Sequence, residues 1–252
     1  AGASRVLFSI AGGPDLTLCF LSGDSCMLPR TALCYVVMGN QWVADMSQFR
    51  ETRYEDDPEW VPPECIVIWG TNPVVCNSDA FLGHWIVEAM KRGSELVVVD
   101  PRLTWMASRA RHWLRLRPGT DAALALGMLN VIIEEDLVDH DFIDRWSYGY
   151  ETFIEGCRTM TPAKAAEICW LDEEDIVAAA RFIGSAKPCT LQWGLKLDQQ
   201  VSATPAGQTI LGIVAMTGNI DVPGGNLLMV DHAFNLALST GSNWRFVPED
   251  QR

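Results

Sequence analysis

Cys65-Ile66-Val67-Ile68-Trp69-Gly70-Thr71-Asn72-Pro73 reads as a strand followed by a turn. Residues 65–69 are an unbroken apolar run rich in β-branched side chains, which suit the pleat of a strand. Neither alternate face carries a polar residue, the pattern of a strand covered on both sides, as in a parallel sheet. Gly70 frees the backbone, Asn72 tolerates turn geometry and Pro73 ends the ladder. A buried strand that stops in such a turn leaves backbone N–H groups at the carboxyl edge of a sheet, where open α/β folds bind nucleotides and phosphates. Taken alone, the stretch fits an ordinary buried strand and turn equally well.

Downstream, Phe81, Trp85, Ile86, Ala89 and Met90 recur at helical spacing, predicting a helix over 79–92 that Gly93 ends. Leu96-Val97-Val98-Val99 is a second buried strand, ending in Asp100-Pro101-Arg102. Strand, helix, strand is a βαβ unit, right-handed and parallel in nearly all cases. Asp100 stands where a Rossmann-type unit reads a ribose or base, or it forms an Asp-Pro turn paired with Arg102. His112 to Arg117 alternates as a third strand. Pro118-Gly119-Thr120-Asp121 then opens a long helix over 122–134, with Thr120 or Asp121 as N-cap. A helix N-terminus after a glycine turn is a ready anion site. Helices are expected from Asp141, from Thr161-Pro162 and from Asp172-Glu173-Glu174-Asp175. Cys189 to Gly194 is a strand ending in glycine, and a further helix runs from Thr204 to Thr217. The loop Gly218 to Asn226 is dense in residues that let backbone approach a ligand.

Upstream, Val6 to Ile10 reads as a strand, and Pro29 to Met38 as a helix closed by Gly39-Asn40. Cys26 lies just before that helix, where peptide dipoles favour a thiolate and hence a metal ligand or nucleophile. A buried structural cysteine is the competing reading there. Residues 41–64 are acidic and punctuated by proline, a surface excursion with a short helix over 42–49.

The totals exclude several classes. With 19 Lys and Arg against 32 Asp and Glu, the net charge is -13. No basic surplus exists to neutralise nucleic acid, and no basic run to meet an anionic membrane surface. No apolar stretch reaches membrane-spanning length. The N-terminus is not a signal peptide, and no targeting segment is evident. None of the eight cysteines forms a C-x-x-C pair or lies at zinc-finger spacing. No G-x-G-x-x-G follows a strand and no Walker A sequence is present, which counts against a nicotinamide enzyme or a P-loop NTPase. The fold class expected is α/β, a Rossmann-like parallel sheet flanked by helices, with part of a second α/β domain. Residues 1–20 would belong to that second domain, 21–188 to the dinucleotide-binding domain, and 189–252 to a return into the second domain and a tail.

Five segments in this order resemble the molybdopterin oxidoreductases of the dimethyl-sulfoxide-reductase type: 66–73, 97–102, 116–124, Leu191-Gln192-Trp193-Gly194, and 217–225. The resemblance spans nearly the whole chain. It implies a bis-molybdopterin guanine dinucleotide cofactor holding molybdenum or tungsten. It implies that Gly70, Asn72, Trp193 and Gly194 lie against the dinucleotides, and that Asp100, Arg102, Gly119 and Asp121 receive ribose and guanine. The family's metal ligand opens a helix upstream of the first strand. Cys26 and Cys34 compete for that role, and Cys26 matches the ligand-then-helix arrangement. Met27 stands where formate dehydrogenases usually have His, which counts against formate as substrate. The resemblance further implies a small-molecule substrate, an electron-transfer subunit as partner, and a cytoplasmic or exported location. The family's N-terminal iron–sulfur segment and C-terminal barrel are not recognisable, so the chain is expected to be the central part of a larger catalytic subunit, inactive in isolation. The competing expectation is a nucleotide-binding α/β module without chemistry of its own.

Overall fold

The structure, a computed structural model, describes residues 28–46, 61–76 and 82–228. Among these, the chain runs α1 (Leu28–Met38), β1 (Trp42–Ala44), β2 (Cys65–Trp69), α2 (Leu82–Lys91), β3 (Glu95–Val99), a 3-10 turn (Ala107–Arg109) and β4 (His112–Leu114). It continues with α3 (Asp121–Glu134), α4 (His140–Trp146), α5 (Tyr150–Arg158), α6 (Pro162–Cys169), α7 (Glu173–Ser185), β5 (Cys189–Trp193), a 3-10 turn (Leu195–Leu197), α8 (Ala203–Met216) and β6 (Asn226–Leu228).

Four strands form one sheet in the order β4-β3-β2-β5. All three pairings are parallel; Cys65 to Trp69 pair residue for residue with Glu95 to Val99 on one side and Cys189 to Trp193 on the other. β2 is therefore central, and every residue in it is fully buried. Its alternation feeds two cores. Cys65, Val67 and Trp69 pack with Val97, Val99 and Leu114 under a large helical layer that includes Leu124, Met128, Ile176 and Ile210. Ile66 and Ile68 pack with Leu96 and Val98 against Ile86, Ala89 and Met106 on the opposite face. Full burial of each Ile or Val contributes roughly 1.5–3 kcal/mol.

α3 is the hub of the large layer and packs against α6, α7 and α8. It is apolar nearly all round, with nine of its fourteen residues buried, as a helix enclosed by other helices must be. Helix starts follow local capping chemistry. Asp139 accepts from the Phe142 N–H at 2.9 Å, and Thr161 from the Lys164 N–H, with Pro162 in the first turn. α7 opens on Glu173, Glu174 and Asp175, favourable to the helix dipole.

The structure revises four expectations. Residues 42–44 form a strand, not the start of a helix; they pair antiparallel with β6, a non-local ladder that outweighs local preference. Among the described residues β4 keeps three residues of the expected 112–117, because Arg115 turns out of the ladder after Leu114. A separate helix, α5, follows Gly149, whose φ of 82° gives the break that isolates it from α4. β5 pairs along β2, so a domain boundary after residue 188 would cut the sheet. The strand expected at Val6 to Ile10 and the domain assigned to residues 1–20 lie outside the described residues.

The outer edge of β5 is closed by side chains. Asn219 Oδ1 accepts from the Cys189 N–H and Asn226 Oδ1 from the Leu191 N–H, both at 2.9 Å. Asn226 Nδ2 donates to the carbonyls of Cys189 and Asn219, and the Thr190 hydroxyl donates to the Gly225 carbonyl at 2.7 Å. The loop expected to approach a ligand thus stands in for a strand neighbour. Asn226→Ala leaves the buried Leu191 N–H without an acceptor, at a cost of about 1–3 kcal/mol. Asn226→Asp keeps the acceptor but sets a carboxylate against two carbonyls, and is expected to lower the urea midpoint further than alanine does.

Candidate cofactor-binding edge of the sheet

The chain passes from β2 to β3 to β4 in one direction, then returns to lay β5 on the other side of β2. The carboxyl ends of β2 and β5 therefore flank a topological switch point, the usual ligand crevice of open α/β sheets. Gly70 and Gly194 sit at those two ends. Gly70 has φ +63°, a left-handed conformation that favours glycine. Its N–H donates to the Val99 carbonyl at 3.2 Å, its carbonyl accepts from the Lys196 N–H at 3.4 Å, and the Gly194 N–H donates to the Trp69 carbonyl at 3.0 Å. A β-carbon on Gly194 would meet Thr71 Cβ, and would stand 2.7 Å from Thr71 Oγ1 and 2.8 Å from the Gly70 carbonyl oxygen. The two turns are locked together with no room for a side chain between them.

Asn72 follows in the same turn. Its carbonyl accepts from the N–H groups of Val75 and Cys76 at 3.0 and 2.8 Å. Asn72 is 9% exposed, and among the described residues its Oδ1 has no hydrogen-bond partner. A buried, unpaired amide oxygen costs free energy; a bound donor would relieve it.

Asp100 closes β3. It is buried, and Oδ1 accepts from the Arg102 N–H at 2.8 Å, with Arg102 Nε at 3.5 Å. This is the Asp-Pro turn paired with arginine that the sequence left open, and the Arg102 side chain is 70% exposed beside it. Asp121, the first residue of α3, accepts from the Trp69 indole N–H at 2.8 Å through Oδ1. Burial pushes the Asp121 carboxyl above its ordinary pKa, against the lowering effect of the indole donor. Thr120 occupies the N-cap position, but its hydroxyl donates to the Arg117 carbonyl and makes no bond to the helix N-terminus. Gly119 has φ +85°, and among the described residues nothing lies within 4 Å of a β-carbon built there, which leaves the space over that turn open to them.

Trp193 is buried, its ring 4.9 Å from that of Trp42 and 5.9 Å from the Arg30 guanidinium. Cys26 lies outside the described residues. The helix it precedes is fastened to the same edge: the Arg30 N–H donates to Asp198 Oδ1 at 3.1 Å, Nε to Oδ2 at 2.7 Å, and Nη1 to the Trp193 carbonyl at 3.1 Å. Cys34, the alternative ligand, is buried inside α1, and burial pushes its thiol up to about 11. That environment disfavours the thiolate a metal needs. Among the described residues no group of three or more His, Cys, Asp or Glu side chains is placed to hold a metal ion, and no helix is long and apolar enough to cross a membrane.

The turns after all four strands thus lie along one edge, carrying Gly70, Asn72, Asp100, Arg102, Gly119, Asp121, Trp193 and Gly194. An unpaired buried acceptor, two glycine turns in contact and open space over a third fit a ligand that lies along backbone and brings its own donors. The Arg30–Asp198 pair and the Trp69–Asp121 bond join residues far apart in sequence, and no local pattern signals them.

Gly194→Ala is expected to cost roughly 1–3 kcal/mol, read as a lowered urea midpoint. Replacing Thr71 by glycine as well should restore only part of it, because the Gly70 carbonyl still blocks the methyl. Asp121→Asn keeps an acceptor for Trp69 and removes the ionisation. The native carboxyl holds its proton above the ordinary value of 3.8, so the folded state loses stability relative to the unfolded chain as pH rises from there. The melting temperature of Asp121→Asn relative to the parent should therefore become more favourable between about pH 4 and pH 7.

Comparisons with known proteins bear on the family and the fold. Acetylene hydratase from Syntrophotalea acetylenica is 36% identical over 164 residues, covering 65% of this chain and 22% of that protein. A formate dehydrogenase alpha subunit from Methanocaldococcus jannaschii is 32% identical over 161 residues, covering 64% and 24%. Dimethyl sulfoxide reductase DmsA from Escherichia coli is 31% identical over 183 residues, covering 64% and 22%. The chain therefore spans about a quarter of the length of these relatives. The solved acetylene hydratase from Pelobacter acetylenicus superposes with a TM-score of 0.75 at 27% identity, covering 99% of this chain and 32% of that one. The family model for molybdopterin oxidoreductase matches residues 31–243, and the chain belongs to that family.

Proposed function

We propose that this chain forms the dinucleotide-holding part of a molybdenum or tungsten enzyme that acts on a small substrate by oxidation or reduction. The observation that carries the reading is the switch point, where the Gly70 and Gly194 turns touch beside the unpaired Asn72 oxygen. Family membership implies a molybdopterin cofactor; the bis guanine dinucleotide form belongs to the proposal.

In this reading Gly70 and Gly194 let two pterin dinucleotide tails approach the backbone without a side chain between. Asn72 Oδ1 accepts from a donor on the ligand and so loses its unpaired state. Asp100, with Oδ1 held by the Arg102 N–H, offers its second oxygen to a ribose hydroxyl, and the exposed Arg102 guanidinium faces phosphate. Gly119 leaves space at the start of α3, where helix N–H groups favour an anion. Asp121 acts from beneath: its bond to Trp69 fixes α3 against β2 and so sets the height of the turn. The Trp193 indole, held between Trp42 and Arg30, shapes the wall. Cys26 supplies the thiolate for the metal, at the amino end of a helix that Arg30 ties to this edge. The metal and its pterins, when bound, supply the oxygen-atom or electron-transfer chemistry; the residues here bind and orient them. The remaining parts of the proposal are an iron–sulfur cluster N-terminal to residue 1, an electron-transfer subunit as partner, and inactivity of residues 1–252 alone.

A second reading keeps the cofactor and replaces redox chemistry with addition of water to a small unsaturated substrate. Acetylene hydratases among the matches by both sequence and structure favour it; Met27, where formate dehydrogenases usually have His, counts only against formate.

The test is metal and nucleotide analysis of the purified protein that carries this chain. Molybdenum or tungsten near one per polypeptide, with guanine nucleotide released on hydrolysis, is expected, and Cys26→Ala should cut turnover on the order of a hundredfold or more. Absence of both metals together with an unaffected Cys26→Ala variant would sink the metal-site proposal. Alkyne hydration without an electron acceptor, set against acceptor-dependent oxidation, separates the two readings.

A further inference from the structure

α6 ends on a tryptophan in a conformation that tryptophan avoids. Trp170 has φ 60° and ψ 42°, the left-handed region, at the C-cap of the helix. Its N–H closes the turn on the Ala166 carbonyl. Glycine, or less often asparagine, takes this position at ordinary helix ends, because a β-carbon there crowds the following carbonyl. The strain is not offset by burial, since Trp170 is 72% exposed. Neither the helix cap nor the core accounts for an indole here. Strained bulky residues of this kind concentrate where a side chain must be presented to something else.

What lies beside Trp170 narrows the choice. The Arg117 guanidinium stands 4.8 Å from the ring centroid. The Arg117 N–H donates to the Cys169 carbonyl at 2.8 Å, and the Cys169 thiol approaches the Thr120 carbonyl at 3.5 Å. The α6 terminus is thus tied to both ends of the turn Arg117-Pro118-Gly119-Thr120, whose central glycine faces open space. The Ser202 hydroxyl donates to the Gly119 carbonyl at 3.3 Å and holds the turn from the other side. A rigid turn beside an exposed indole, one face of which is backed by the Arg117 guanidinium, suits stacking of a planar base on the other face.

We infer that Trp170 is the stacking platform for the purine base of the nucleotide at the Gly119 turn, and that Arg117 holds the indole in place. This deepens the reading of the carboxyl edge as a dinucleotide site and rests on it. Trp170 touches the base; Arg117 is a positioning residue. The left-handed backbone carries the exposed ring off the end of α6, where it meets the Arg117 side chain.

The test uses the full protein that carries this chain, purified from a host unable to make the pterin, with GMP as probe and isothermal titration calorimetry as readout. Trp170→Gly relieves the backbone strain, so its melting temperature should rise while GMP binding weakens about tenfold or more. Trp170→Phe keeps an aromatic face and should bind within about threefold of the parent. Arg117→Gln should weaken binding and increase the mobility of the indole, read from its fluorescence anisotropy. A stabilised Trp170→Gly variant that binds GMP like the parent overturns the inference, whereas Asp100→Ala weakening GMP in the same assay would leave the site reading standing. Failure of the parent to bind GMP overturns both.

Discussion

β2 is enclosed on both faces by the two cores and on both edges by parallel partners, and every other element takes its place from that enclosure. A central parallel strand must be apolar on alternate faces and must have both hydrogen-bonding edges occupied, because no water reaches it. The chain meets the first demand with Ile66 and Ile68 on one side and Cys65, Val67 and Trp69 on the other. It meets the second by sending β3 to one edge and β5 to the other. That split sets the topological switch point: β3 and β5 lie on opposite sides of β2, and the Gly70 and Gly194 turns meet where the strand order reverses. The position of the candidate site is thus a by-product of satisfying one strand.

Trp69 connects this enclosure to the site. It is the last residue of β2, fully buried, and its indole N–H must find an acceptor. It finds Asp121, so the first residue of α3 is drawn against the sheet. The burial that raises the Asp121 pKa fixes the start of the helix at the centre of the large layer, and the Gly119 turn sits directly before it. On the other flank, Arg30 joins α1, Asp198 and the Trp193 carbonyl into one unit. Packing and site geometry are coupled through a few polar contacts at the ends of apolar elements.

Much of this was legible in the sequence wherever the signal was local. The apolar runs at 65–69 and 96–99, the helix stripe at Trp85, Ile86 and Ala89, and the caps at Thr161-Pro162 and Asp172 each declare themselves within a few residues. The four turns at the strand ends were readable as one edge because parallel strands leave no other arrangement. What escaped was non-local. Trp42 to Ala44 became a strand only by meeting β6, and nothing near Trp42 announces β6. Asn219 and Asn226 look like loop residues until β5 is laid beside them. Trp170 gave no signal, since a left-handed tryptophan is what sequence preference argues against. Cys26 remains a reading from sequence and resemblance.

The asparagines at the edge of β5 have a consequence for how this sheet meets other chains. An uncapped outer strand with free N–H and C=O groups is a template for strand addition, and so for domain swapping and cross-β growth. Here Asn219 and Asn226 occupy the donors at Cys189 and Leu191 and the acceptor at Cys189. At the far side, β4 offers only three residues. A sheet so finished cannot readily recruit a fifth strand from a neighbour. Two copies of this core brought together at their rims therefore meet few open backbone groups through which to pair.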